Sequence, residues 1–267
     1  MDFLNVLRDS LNLLYKKPKI FIPNLCAAIM YAGFELVLIK ISIEVLDKML
    51  SQSPEGLREV LASNILLILG ALAFYPILAV IDLIVYAMYP SIVLDYHNKR
   101  EISLIKALKS ALHAWRIWLA LGLVLLMFLL IVTPAISVLT FLSYTTGNTL
   151  LLIPAGIIFL AAVILLMLAV FFVMPIGIIE KGKTLETFRK SYRLGKKHRK
   201  EVLPIVVFST VLVFLALLIG NIPAIKSGNE ATYIAITLFV LIKMLQSLIY
   251  TYISVVNPYF YMKIREK

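Results

Sequence analysis

Three ionisable side chains stand deep inside long apolar runs: Glu35, Asp82 and Lys243. Counting about 1.5 Å per helical residue places each near the mid-depth of a bilayer. An ionisable group there costs several kcal/mol unless it is paired, roughly the range that fixes such residues as staples or as parts of a pathway. Two chemistries fit the trio. One is a buried ion pair that closes a helical bundle; the other is a polar site through which a small solute or ion passes. Two acids facing one base leave an unmatched negative charge, so one carboxyl is expected to be protonated or to hold a cation. Gln246 and Ser247 follow Lys243 by about a turn and extend the polar surface. Lys40 lies further out, where it snorkels and pairs with Glu44 one turn later.

Other chemistry-bearing patterns are weak. Gly177, Gly182, Lys183 and Thr184 satisfy the spacing of a phosphate-binding P-loop. A P-loop needs a buried strand before it and a sheet to hold it. Here a membrane-length apolar run precedes it, so the match reads as chance and Thr184 as a helix cap. His97, His113 and His198 are isolated, and Cys26 is the only cysteine. Neither a metal site, a disulfide nor a nucleophile elbow follows from these residues. No cofactor is expected, and the chain reads as a non-enzyme.

The elements that must position the trio follow from composition. Of 267 residues, 61% are hydrophobic and 15% charged, against roughly 45–50% and about 25% in a soluble domain. Mean hydropathy is +0.96. A soluble enzyme with a large domain of its own is excluded. Six runs reach the roughly 20 residues needed to cross about 30 Å of hydrocarbon: Ile20–Leu46, Asn64–Leu94, Trp115–Leu142, Leu150–Ile179, Val202–Ile222 and Tyr233–Tyr261. All should be helices, because lipid offers the backbone no hydrogen-bond partner. The net charge of +11 comes mostly from short loops on one side, which argues for lipid head groups rather than nucleic acid as partner. By the positive-inside rule both termini are cytoplasmic, in a multi-pass protein of the cell membrane. Asp2 and Asp9 interrupt the N-terminal segment and no small-residue cleavage site follows, so it is expected to be retained. Trp115 and Trp118 would anchor the third span at the inner interface.

Self-comparison aligns three polar segments without gaps on Ser10, Ser110 and Ser191. Seven residues before each stands Phe3, Ser103 or Thr184, followed by Leu4, Leu104 or Leu185. Even-numbered spans carry Pro90, Pro175 and Pro258 near their inner ends. The pattern predicts one all-α integral membrane domain, a six-helix bundle of three parallel repeats over residues 1–94, 95–179 and 180–267. Each repeat is a cytoplasmic amphipathic helix followed by two spans. In the second copy Leu104, Ile105, Leu108, Ala111 and Leu112 share a face opposite Ser103, Lys106, Lys109 and Ser110. Ser103 and Thr184 are expected N-caps. Such basic helices either lie among anionic head groups, at about 1 kcal/mol per nearby charge, or pack on the spans with their charges solvated. Candidate lipid contacts are Lys106, Lys109, Arg189, Lys190, Arg193, Lys196, Lys197, Arg199 and Lys200; the densest run, Lys196 to Lys200, also suffices as a topology signal.

The opening DFLNVLRDSLNLLYKKPKIFIP and the block MPIGIIEKGKTLETFRKSYRLGKKHRKEVLP between spans four and five resemble archaeal and bacterial six-span proteins. Those are similar in turn to the membrane domain fused to some glycerophosphodiester phosphodiesterases. The resemblance implies a membrane module without the phosphodiesterase's catalytic residues. The combined expectation is a non-enzymatic membrane protein that organises lipid or a partner, the alternative being a small transporter or channel built on Glu35, Asp82 and Lys243.

Overall fold

The computed structural model describes residues 3–50, 54–147, 150, 152–220 and 229–266, and their side chains except at 3, 39–61, 63, 64, 67, 68, 71, 72, 155, 217, 220 and 229–235. Among these residues there is no strand. Ten α-helices are described: α1 Phe3–Lys16, α2 Ile22–Leu50, α3 Pro54–His97, α4 Leu104–His113, α5 Trp115–Thr146, α6 Leu152–Val170, α7 Val173–Ile179, α8 Thr184–Lys197, α9 Arg199–Gly220 and α10 Asn229–Arg265. Among the described residues five stretches are long and apolar enough to cross a membrane: Pro18–Leu38, Ala73–His97, Trp115–Thr146, Leu152–Ile179 and Ile236–Arg265. The remaining expected span, Val202–Ile222, coincides with α9 up to Gly220 and ends beyond the described residues. The Lys40–Glu44 pair also lies outside the described side chains.

The core is not spread evenly along the spans. It gathers where α3, α7 and α10 carry their prolines, around Tyr89, Ile92, Phe172, Met174, Ile176 and Phe260, all nearly or fully inaccessible. Phe172 stacks on Phe260 with ring centroids 5.9 Å apart. Proline explains why a polar residue enters this core. Pro175 has no N–H to give the carbonyl of Phe171 one turn earlier, and the fourth expected span breaks there into α6 and α7. Asn257, just before Pro258, supplies the missing donor: its Nδ2 lies 2.5 Å from the Phe171 carbonyl and 2.8 Å from the Tyr86 hydroxyl. Ser191 of α8 completes the repair. Its hydroxyl donates to the Ala169 carbonyl at 2.9 Å and accepts from the Phe172 N–H at 3.2 Å. Buried backbone groups released by the break are thereby satisfied.

Five residues after each of the three prolines stands a charge that reaches one of the short helices. Asp95, its side chain 2% exposed, meets Lys106 of α4 at 2.6 Å. Glu180 meets Lys190 of α8 at 2.5 Å. Lys263 meets Asp9 of α1, with the polarity reversed. The tyrosines of α3 and α10 add ties across long sequence separations, Tyr89 to the Ile20 carbonyl and Tyr252 to the Leu7 carbonyl, both at 3.3 Å.

Burial pushes the Glu180 carboxyl up, but hydrogen bonds from Lys190 and Tyr261, with the charges of Lys190 and Arg265, outweigh it and hold the group below its ordinary value. A depressed carboxylate contributes stability above its unfolded pKa, lost as pH falls through the folded one. The difference in melting temperature between wild type and Glu180→Gln should therefore be constant near neutrality and shrink towards zero below about pH 4. A difference that widens in acid would contradict the assignment.

Several expectations about the short helices need correction. Ser103 caps α4, accepting from the Lys106 N–H at 3.3 Å, but Thr184 is not a cap: Lys183 is extended ahead of α8 and Thr184 is its first helical residue. The α4 face splits. Ala107 and Ala111 are buried, whereas Ile105, Leu108 and Leu112 are exposed, because small residues let α4 lie close on its neighbours. Trp118 is no interfacial anchor; it is buried and its indole N–H donates to the Ala111 carbonyl at 3.0 Å, tying α5 to α4. Lys106 and Lys190, two of the candidate lipid contacts, also make ion pairs with Asp95 and Glu180 while their side chains stay 53% and 50% exposed.

Candidate functional site

Helical periodicity builds one polar cavity out of three helices. On α2, Asn24, Ala27, Ala28, Tyr31 and Glu35 recur every three to four residues and so share a face. On α10 the same holds for Lys243, Gln246, Ser247 and Tyr250, and on α3 Tyr75 and Asp82 lie seven apart. These eleven residues line a cavity of about 440 Å³. The alanines leave the space that larger side chains would fill.

The structure brings Glu35, Asp82 and Lys243 to this one cavity. Lys243 Nζ is 2.6 Å from Glu35 Oε2 and 5.3 Å from the centre of the Phe239 ring. Its side chain is 10% exposed and that of Glu35 30%, so the pair is largely removed from solvent. Asp82 is exposed at the cavity. It accepts a hydrogen bond from the Tyr31 hydroxyl at 2.8 Å, and no cation pairs with it among the described residues. Gln246, buried, donates to the Tyr250 hydroxyl at 3.2 Å. Asn24 donates to the Thr251 hydroxyl at 3.0 Å, tying α2 to α10. The phenols of Tyr31, Tyr75 and Tyr250 were not anticipated, although Tyr31 stands one turn before Glu35 and Tyr250 one turn after Gln246, where a shared face requires them.

The basic end is a second candidate. Lys109, Arg189, Arg193, Lys196, Lys197, Arg199 and Lys200 are all exposed. Beside these charges run exposed apolar residues: Leu4, Leu11 and Tyr15 on α1, Ile105, Leu108 and Leu112 on α4, Leu185 and Tyr192 on α8. A cavity of about 720 Å³ opens between α4 and the link after α7, lined among others by Lys106, Lys109, Ser110, His113 and Lys181.

The P-loop spacing does not become a loop. Gly177 lies within α7, buried, and a Cβ there would come within 2.6 Å of Ile117 Cδ1; it is a helix-packing residue. Gly182 and Lys183 belong to the short link, and Thr184 opens α8. Each histidine has a partner: His97 lies 2.7 Å from Glu266, His198 3.1 Å from Glu201, and His113 3.3 Å from the Lys109 carbonyl. Among the described residues, no three His, Cys, Asp or Glu side chains gather as for a metal ion.

Fold and sites together define an all-helical membrane protein with an ion pair and a carboxylate inside its apolar zone. Comparison with known protein families, curated proteins and solved structures finds no match, so the residues themselves carry the functional reading.

Proposed function

We propose that the chain is a six-span, non-enzymatic membrane protein whose three short helices, on the cytoplasmic side, hold anionic phospholipid against the bundle. The observation that carries this is the pairing of exposed apolar rows with exposed basic side chains on α1, α4 and α8. An amphipathic helix packed on protein alone has no use for Ile105 at 70% or Leu185 at 66% exposure; one lying at the acyl boundary does. The cavity beside Lys109 and Lys181 offers a head group cationic and hydroxyl donors over an apolar floor of Ile117 and Ile178. Threefold construction supports the same arrangement, since three prolines, three charges five residues later and three short helices recur in register.

Anionic phosphatidylglycerol added to the detergent-solubilised protein should raise its melting temperature more than zwitterionic phosphatidylcholine does. The excess should fall with salt and shrink when Lys196, Lys197, Arg199 and Lys200 are all changed to glutamine, each charge contributing about 1 kcal/mol or less. Equal responses to both lipids would remove the reading.

A second reading is transport through the cavity between α2, α3 and α10. It is favoured by the Lys243–Glu35 pair and the adjoining Asp82 carboxylate at membrane depth.

A further inference from the structure

We infer that the cavity between α2, α3 and α10 is a binding site for a monovalent organic ammonium ion. This names the ligand of the site used by the transport reading and is independent of the lipid reading; binding at equilibrium holds whether or not the solute crosses.

Charge sets the sign of the ligand. Lys243 at 2.6 Å neutralises Glu35, while among the described residues Asp82 is met by the Tyr31 hydroxyl and by no cation. The lining therefore carries one net negative charge when all three groups are ionised. An anion would meet two carboxylates, and a neutral solute would leave Asp82 uncompensated in an apolar zone, where a lone charge is costly. A single positive charge balances the site.

Size and wall chemistry set the class. A volume of about 440 Å³ falls in the range of small-molecule sites, roughly 300–1,000 Å³, and far exceeds a dehydrated alkali ion. A divalent metal would need more anionic donors than one free carboxylate. Three phenol rings, Tyr31, Tyr75 and Tyr250, face the same space, and aromatic faces attract ammonium groups within about 6 Å. Phe34 packs edge-on against Tyr75 with centroids 5.3 Å apart, which steadies that ring. Gln246 and Ser247, both more than nine-tenths buried, add polar lining. The ammonium group would sit between Asp82 and the phenols, with its apolar body against Ala27 and Ala28.

The test uses the full-length protein in nanodiscs and calorimetric titration with benzylammonium, benzyl alcohol and potassium chloride. Saturable benzylammonium binding is expected, weakened at least tenfold by Asp82→Asn, retained in Asp82→Glu and several-fold weaker in Tyr75→Ala. Glu180→Gln, at the far basic end, should bind as wild type does. Matching circular dichroism and elution profiles show that the variants are folded. Failure of benzylammonium to bind, equal binding of benzyl alcohol, displacement by potassium at matched ionic strength, or undiminished binding in Asp82→Asn would each overturn the proposal. Benzylammonium flux into proteoliposomes, measured separately, decides the transport reading: flux absent with binding intact removes transport and leaves the site.

Discussion

A Lys243→Met variant is expected to unfold about 2–3 kcal/mol more easily than wild type, and Glu35→Gln added to it should restore most of the loss. The reason is asymmetry. Two desolvated charges at 2.6 Å largely cancel the cost of removing each from water, so removing both is nearly neutral. Removing one leaves the other in an apolar zone without compensation. Glu35 keeps 30% of its side-chain exposure, which holds the figure below that of a fully buried pair. Reversible unfolding of the four members of the cycle in mixed micelles measures the coupling. Additive losses would show that the two groups do not sense each other.

Asn257→Ala should cost about 3 kcal/mol, although the side chain is small and uncharged, because it leaves two buried polar groups without a donor. Phe171 has no N–H from position 175, and the Tyr86 hydroxyl loses the same Nδ2. The proline supplies the decisive control. Pro175→Ala restores an N–H one turn after Phe171, so it should recover part of the loss in the Asn257→Ala background while doing little or harm alone. Strict additivity in a thermal unfolding cycle would mean that Asn257 does not serve the proline's orphaned carbonyl. Gly195 offers an independent check on the same junction: a Cβ there would lie 2.5 Å from the Leu168 carbonyl, so Gly195→Ala should push α8 off α6.

Much of the architecture was readable from residue spacing. Apolar runs of membrane length announce helices, and charges buried in separate runs must find one another, which is why spacing alone groups Glu35, Asp82 and Lys243. What escaped was the inner geometry of each helix. An amphipathic pattern reports which residues are apolar but not which apolar side lies against protein, so of one expected face Ala111 is buried and Ile105 is exposed. Charge counting does not pair Lys106 and Lys190 with Asp95 and Glu180, since Asp95 sits on α3 and Glu180 in the link after α7. The break after Val170 was hidden because prolines in membrane helices more often bend than interrupt. Its signal was present nonetheless: a buried asparagine before Pro258 has to donate somewhere.

The reversed polarity of Lys263 and Asp9 has a consequence for biosynthesis. At about 5–20 residues per second, α10 emerges roughly 10–50 s after α1. Through that interval Asp9 and Glu35 await lysines that do not yet exist, whereas Asp95 and Glu180 find theirs within a dozen residues. Until α10 is made, the first helical hairpin therefore carries both of its cavity acids, Glu35 and Asp82, without Lys243.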